Sequence, residues 1–194
     1  MPLSPPIAWD TFENAVRRWF SRATGLVTIW ASEDAPQPPY PFAVLKLISG
    51  PVQSGRDDER HTTITGAPIG EEILIEVCGP RDVTVSCQVY SASDRPKLNA
   101  QHYIGIAQAS LGLPSILDAF RVERIAFVDS SPPQDLDFIA SGGTKSRAVM
   151  DVRFRIESSM TERTGYIATV GATGTFTNPD GTTVVVDANF GATP

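Results

Sequence analysis

The chain has 194 residues, of which 41% are hydrophobic, so it can form one domain with a substantial core, or one domain with an appendage. Its formal net charge of −6 counts against a nucleic-acid-binding domain, because such domains usually carry a basic face. No apolar run approaches the roughly 20 residues that span a bilayer, and the first residues lack the pattern of a secretory signal. We therefore expect a protein without membrane contact, made in a cytosol-like compartment.

The first 25 residues predict an arm followed by an amphipathic helix. Residues 1–9 are rich in proline and predict an N-terminal arm. We expect the helix to begin at Asp10 as its N-cap, with Glu13 completing a capping box, and to end at Gly25. Apolar residues at helical spacing predict one buried face, formed by Phe12, Val16, Trp19, Phe20 and Ala23.

Two strands separated by a proline-rich loop are expected next. Residues 27–31 predict a short strand, and residues 42–48 predict a second strand that continues to Gly55. Because the loop between them carries prolines at positions 36, 38, 39 and 41, it must be extended and free of helix.

A charged segment follows the second strand, and we name it the charged tip: Arg56, Asp57, Asp58, Glu59, Arg60 and His61. Since residues 61–65 form a β-rich run, we expect the charged tip to be a solvated hairpin tip. Contact with another protein is the main alternative. A divalent-cation site is disfavoured, because the arginines compensate the acids and no glycine-punctuated calcium loop is present.

The stretch 71–90 predicts a second β-hairpin, because Gly79 and Pro80 supply turn chemistry. Its second half alternates, as expected for a strand with one buried and one solvent-facing side. The apolar set is Val83, Val85, Cys87 and Val89, and the polar set is Thr84, Ser86, Gln88 and Tyr90. Cys78 and Cys87 would be out of register in this hairpin, so we expect two free, mostly buried thiols.

Two helical segments are predicted after Pro96. In the first, apolar residues recur at steps of four, three and four: Ala100, Ile104, Ala107 and Leu111. Residues 115–120 predict a second short helix capped by Ser115, and residues 122–128 predict a strand. The stretch 129–146, which contains Asp135 and Asp137, predicts a long loop of a kind that is often functional.

The last part of the chain predicts strands only. Residues 147–157 alternate cleanly, with an apolar set of Ala148, Met150, Val152, Phe154 and Ile156 and a polar set of Asp151, Arg153, Arg155 and Glu157. An Asn-Pro-Asp-Gly turn at 178–181 predicts a terminal β-hairpin, whose large apolar residues are so sparse that it needs a neighbour.

This order of elements predicts an α+β fold, in which helices pack on one face of an antiparallel sheet and a C-terminal β-hairpin is added. We expect an arm at 1–9, an α+β domain at 10–160 and the hairpin extension at 161–194.

The sequence offers little for catalysis or cofactor binding. His61 and His102 lie outside any recognised catalytic or metal-binding motif, and no phosphate-binding loop is present. Asp135 and Asp137 are a carboxylate pair of the type used by glycosidases, but such pairs are too common to count alone. Arg121, Arg124 and Arg147 are not clustered with aromatic residues in the sequence, so base stacking is unsupported. We expect a non-enzyme with no cofactor and no metal.

Several local phrases occur in an order that carries a family resemblance: Trp30 with ASEDAPQPPYPF, FAVLKLISGPVQSGRDDE, VTVSCQVYS before a helix, LPSILDAF, and SRAVMDVRFR. Over roughly residues 9–157 the chain resembles the phage neck or tail terminator proteins. The Pro-Tyr-Pro-Phe and Ser-Arg-Ala-Val-Met-Asp-Val-Arg-Phe phrases are the most specific. The stretch 165–194 departs from the shorter members and is expected to reach an adjacent subunit.

The resemblance implies a homohexameric ring in the virion, made in the host bacterial cytoplasm. Such a ring caps the tail tube and joins it to the head connector or adaptor protein, and DNA passes through its channel without specific binding. The expected contacts with other subunits or partners are Arg56, Asp57, Asp58, Glu59, Arg60, Asp135, Asp137, Arg153 and Arg155. A net acidic channel would keep the DNA mobile.

Three other interpretations remain open from the sequence. The chain resembles a head–tail adaptor or tail completion subunit almost equally well. A β-rich module that binds a ligand such as a carbohydrate would need solvent-facing aromatic residues on one sheet face, of which the two clean strands offer only Tyr90. An enzyme of unrecognised type would need a pocket with perturbed titratable groups.

Overall fold

The computed structural model describes residues 6–34, 36–68, 70–92, 99–140, 143–165 and 169–191. The helices are α1 (Trp9–Thr24), α2 (Ala100–Ser110) and α3 (Pro114–Val122). The strands are β1 (Val27–Trp30), β2 (Phe42–Gln53), β3 (Asp58–Thr63), β4 (Ile73–Ser91), β5 (Ile125–Ser130), β6 (Gln134–Asp135), β7 (Phe138–Ala140), β8 (Gly143–Thr164), β9 (Thr169–Thr177) and β10 (Thr183–Gly191). The chain divides into a first unit, residues 1–58 and 77–160, and a second unit, residues 59–76 and 161–194.

The first unit is organised around a mixed, mostly antiparallel sheet with the strand order β1-β2-β4-β8-β5. Strand β2 runs parallel to β1 and antiparallel to β4, and β5 runs antiparallel to β8. The short strands β6 and β7 also pair with β8. The predicted α+β fold class is confirmed.

The core lies between one face of this sheet and the three helices. The predicted apolar sets of β4 and β8 are both buried, and they share one cluster with Phe12, Val16, Trp19 and Phe20 of α1. The ring of Phe154 lies at its centre, 5.3 Å from Phe120 and 5.8 Å from Phe12 between centroids. Burial of such large aromatic side chains dominates core energetics, so these contacts hold the helices on this face.

The start of α1 differs from its prediction. The helix begins at Trp9, its N-cap is Ala8, and no side chain caps it, so the capping box at Asp10 and Glu13 is wrong. Ile7 is buried in the core and Trp9 packs edge-to-face on Phe12, which explains why the N-cap lies two residues earlier than predicted. Gly25 ends the helix in a left-handed conformation, with φ at 72°, as predicted.

The predicted hairpin at 71–90 is wrong, because β4 runs through it as one strand. Arg81 and Asp82 pair with Gln53 and Val52 of β2, and the Pro80 carbonyl accepts a hydrogen bond of 3.2 Å from the Ser54 amide. Gly79 serves a close approach rather than a turn, since a Cβ there would lie 1.8 Å from Asp57 Oδ1. Proline lacks the N–H that a regular strand pairing needs. Pro80 is tolerated here because the β2–β4 pairing is irregular in this region.

The charged tip is not a hairpin tip. Strand β3 begins within it at Asp58 and pairs with β4 rather than returning along β2. The stretch 129–146 is not a structureless loop either, because β5 extends to Ser130 and β6 and β7 pair with β8. Residues 141–142 lie outside the described residues.

The two helices predicted after Pro96, α2 and α3, also start differently from their predictions. Helix α2 has Asn99 as its N-cap, and its predicted apolar set is buried, whereas the expected start near Pro96 lies outside the described residues. Helix α3 begins at Pro114, in the position that proline favours, so Ser115 is not its cap. Because α3 extends to Val122, the next strand begins three residues later than predicted, at Ile125.

The second unit contains the predicted terminal hairpin, in which β9 and β10 pair antiparallel from Thr169–Gly191 to Thr177–Thr183. Its turn is closed by a 2.8 Å hydrogen bond from the Asn178 amide to the Thr182 carbonyl, and Gly181 has φ at 84°. The Asn-Pro-Asp-Gly sequence therefore forms the turn of the hairpin, as predicted.

Candidate functional site

The sheet face opposite the helices is the first candidate surface, and we name it the outer face. On β2 it carries Lys46. On β4 it carries every second side chain from Asp82 to Tyr90, and on β8 every second side chain from Arg147 to Glu157. Arg153, Arg155 and Glu157 are exposed, whereas Thr84 and Gln88 are half-buried and Ser86 is buried. The polar set of β4 is therefore less open to solvent than its sequence predicts.

Three aspartate–arginine pairs join neighbouring segments of the first unit. Arg81 donates to both oxygens of Asp57 at 2.6 and 2.8 Å, and Arg155 donates to both oxygens of Asp82 at 2.7 and 3.1 Å. Arg153 pairs with Asp129. Such forked hydrogen bonds fix the guanidinium plane, so these side chains are held in defined orientations.

The two forked pairs also perturb their carboxylates. Hydrogen bonds from Arg81 hold the pKa of Asp57 below its usual range, and hydrogen bonds from Arg155 do the same to the pKa of Asp82. Both acids therefore keep their charge to a lower pH than an unpaired aspartate does. Three predicted contact residues, Asp57, Arg153 and Arg155, belong to ion pairs within the chain.

A cluster of aromatic rings and cations lies at the other end of the outer face. The Phe42 and Tyr90 rings stack at 5.2 Å, the Arg147 guanidinium lies 5.3 Å from the Tyr90 centroid, and Lys145 Nζ lies 5.1 Å from that of Tyr40. Gln88 Oε1 accepts hydrogen bonds of 2.9 Å from both Tyr90 Oη and Arg147.

This cluster corrects the expectation that Arg147 lies apart from aromatic residues. The residues are distant in sequence but adjacent in the sheet, since Phe42 and Tyr90 are register partners. Phe42 is only 4% exposed, so its ring faces are covered and offer no stacking platform for a nucleic-acid base.

The two predicted loop acids serve local structure. Asp135 Oδ1 accepts from the Asp137 amide at 3.1 Å, and Asp137 Oδ1 accepts from the Arg147 amide at 2.9 Å. Both side chains are exposed, but their carboxylates hold the segment beside β8.

The remaining predicted contact residues separate into two groups. Arg56 and Asp58 line a shallow depression of about 310 Å³ together with Arg155, Arg124 and Glu157. Glu59 and Arg60 belong to the second unit, where Glu59 bonds His61 at 2.7 Å. Each of these predicted residues is exposed, and their role as subunit or partner contacts stays a prediction.

Two observations concern the thiols and the possible metal ligands of the described residues. Cys78 and Cys87 are free and buried, as predicted, and burial raises the pKa of the Cys87 thiol. A thiol in that state is a poor nucleophile. Within the described ranges, no group of three or more His, Cys, Asp and Glu residues is placed to hold a metal ion.

A groove between α1 and α3 was not predicted from the sequence. It has a volume of about 520 Å³ and is lined by Ala15, Arg18, Trp19, Arg22, Ile116, Ala119, Phe120, Val122 and Glu123. Val122 is 81% exposed at its edge. The sequence does not reveal the groove, because it predicts a strand at Val122, and an apolar residue is ordinary in a strand. Val122 indicates an open apolar surface only when it is known to end a helix.

Comparison with known proteins identifies the chain's family. A family model described as phage neck terminator protein matches residues 10–180, which is most of the chain and extends through β9. A search of curated proteins finds no match. None of the helices in the described part of the chain combines the length and apolar character needed to cross a membrane. The chain therefore belongs to the phage neck terminator family, whose role is structural, in the tail and neck of the phage particle.

Proposed function

We propose that copies of this chain close into a homohexameric ring on the head-proximal end of the tail tube, where the ring ends the tube and joins it to the head connector. Family membership supports this position within the neck. The ring would contact the tail tube protein on one side and the connector or adaptor protein on the other.

The observation that carries the ring is the pair of different sheet edges. Among the described residues, β1 pairs only with β2 and β5 pairs only with β8, so each leaves an edge unpaired. An exposed strand edge is a template for another chain, and contact between two different patches produces rings when the rotation closes. Association of β1 of one copy with β5 of the next would use two exposed strand edges and would join two different patches.

The charge balance supports passage of DNA rather than binding. The chain carries 22 acidic and 16 basic residues, and several of its arginines are occupied in ion pairs with aspartate or glutamate. A ring of such subunits would present few uncompensated cations to the phosphate backbone, so DNA would slide.

The test compares phage tails assembled with and without the protein. We expect tails of uncontrolled length that fail to join heads when it is absent, and complete tails when it is restored. Tails of normal length that fail only to join heads would indicate a head–tail adaptor instead. Normal tails that still join heads would contradict the proposal.

A matched pair of variants tests the edge contact. Val27→Lys places a charge on β1, where Val27 is 57% exposed, and a lysine on an edge strand disfavours pairing with another chain. Ile106→Lys adds the same charge to α2, where the side chain is 37% exposed. Light scattering and electron microscopy should show loss of rings for the first variant only, and equal behaviour of the two would count against the β1 edge.

A further inference from the structure

The terminal hairpin forms a separate two-stranded sheet. Strands β9 and β10 pair with each other over nine positions and, within the described residues, with no other strand. A two-stranded hairpin is marginally stable in water unless one of its faces is covered. Its outer edges are therefore unpaired in the described part of the chain, and a further surface would stabilise it.

The pairing register sorts the residues of the hairpin into two chemically different sets. In the sequence, the residues at alternate positions of this register form one apolar set: Val170, Ala172, Gly174, Phe176, Val184, Val186, Ala188 and Phe190. The other set is rich in threonine, with Val185 as an exception. Phe176 is 63% exposed, so a large apolar ring of the first set faces solvent in the single chain.

The charges of the hairpin all have one sign. Residues 165–194 contain Asp180 and Asp187 and no lysine, arginine or histidine. Asp180 lies in the turn, four residues from Phe176, and its carboxylate accepts from the Thr182 amide at 2.9 Å. A surface that accepts this hairpin should be apolar, with a basic rim.

The groove between α1 and α3 has these properties. Its floor is formed by Ala15, Trp19, Ile116 and Phe120, and Arg18 and Arg22 stand at its rim. Arg18 is bonded to Glu123 at 2.8 Å, whereas Arg22 has no acidic partner among the described residues. A volume of about 520 Å³ is ample for an aromatic side chain.

We propose that the apolar side of the β9–β10 hairpin of one copy docks in the α1–α3 groove of a neighbouring copy. Phe176 enters against Trp19 and Phe120, where its ring extends an aromatic cluster, and the acidic turn lies toward Arg22. This inference rests on the proposed ring and names a contact that ties its neighbouring subunits together.

The test uses two full-length chains, each with one added cysteine. Val184→Cys, at the position that pairs with Phe176 in the hairpin register, is mixed with Ala119→Cys in the groove lining under mild oxidation on tail tubes, and products are separated without reductant. Val185→Cys replaces Val184→Cys in the matched control, because Val185 is 58% exposed and belongs to the other register set. The wild-type chain controls for the two buried native thiols.

We expect on the order of tenfold more mixed dimer with Val184→Cys than with Val185→Cys, because docking raises the effective concentration of the paired thiols. Equal yields would overturn the inference. A chain carrying both Val184→Cys and Ala119→Cys that forms only an internal bridge would also overturn it.

Ring formation is measured separately by electron microscopy. Rings without the specific mixed dimer would overturn the hairpin contact and leave the ring standing. Absence of both rings and mixed dimer would overturn both proposals. The specific mixed dimer without closed rings would support the hairpin contact and contradict the ring.

Discussion

The Trp19 indole N–H donates a 2.9 Å hydrogen bond to Ser110 Oγ, and the same hydroxyl donates to the Ala107 carbonyl at 2.7 Å. Both residues are buried, at 3% and 8% exposure. This bond joins α1 to the end of α2, which is itself bonded to the sheet by the Ala100 amide to Ser146 Oγ and by Gln108 to Ser130.

Removing the serine hydroxyl should therefore destabilise the fold. Ser110→Ala leaves the buried indole N–H without an acceptor, which costs roughly 1–3 kcal/mol of unfolding free energy. Denaturant unfolding measures the change. Ser115→Ala, at an exposed position of α3, is the control and should shift stability by less than about 0.5 kcal/mol. A similar effect of both substitutions would show that the hydrogen bond is unimportant.

The Asp82–Arg155 pair predicts a specific loss of stability in acid. Because the folded-state pKa of Asp82 is lowered, its contribution is present above the unfolded pKa of about 3.9 and is lost as pH falls through the lower folded value. Asp82→Asn should therefore reduce the slope of unfolding free energy against pH below about pH 4.

The matched control for that measurement is Asp118→Asn, which removes an exposed aspartate paired with Arg121 on α3. The pH titration of unfolding is repeated for both variants and the wild type. Parallel curves for wild type and Asp82→Asn would contradict the assigned role of the pair.

Two glycine-to-alanine substitutions should change stability in opposite directions. Gly50 has φ at 117°, and a Cβ there would lie 2.8 Å from the Asp82 carbonyl oxygen, so Gly50→Ala should cost about 1–3 kcal/mol. Gly105 lies in α2 with nothing near its Cβ position, so Gly105→Ala should stabilise by about 0.5–1 kcal/mol. Thermal or denaturant unfolding checks both signs, and destabilisation of equal size by both would refute the argument.

The two cysteines should be unreactive in the folded protein. Cys87 is fully buried with a raised thiol pKa, and Cys78 is 9% exposed. A thiol-specific reagent at mildly alkaline pH should label neither residue rapidly, and should label two thiols after denaturation. Val27→Cys supplies an exposed thiol as a positive control for the reagent. Rapid labelling of the native wild-type chain would mean that the strand opens locally.

The sequence predicted the sheet faces well, because burial on one side imposes a period of two that no other element shares. On β8 the alternation identified five buried residues, from Ala148 to Ile156, and on β4 the predicted residues Val83, Val85, Cys87 and Val89 are likewise all buried. Helix faces were predictable for a related reason, since Phe12, Val16, Trp19 and Phe20 repeat at helical spacing.

Strand pairing and the outer-face cluster could not be predicted in this way. A Gly-Pro pair such as Gly79 and Pro80 occurs both in turns and where another group lies against the backbone of a strand. Here the Asp57 carboxylate lies against Gly79, and the sequence around Gly79 does not show that contact. The stacking of Arg147 on Tyr90 depends on which strands are neighbours, information that no single segment contains. The α1–α3 groove depends likewise on how two helices meet.

The two sides of β8 also bear on how this protein can change through evolution. Substitutions at Ala148, Met150, Val152, Phe154 and Ile156 alter folding, because those side chains are buried against the helices. Substitutions at the intervening positions change the charge and shape of the outer face, and at Arg153 and Arg155 they also remove an ion pair. The core therefore tolerates changes on the other side of the same strand, as long as the ion pairs that cross to β4 and β5 are kept.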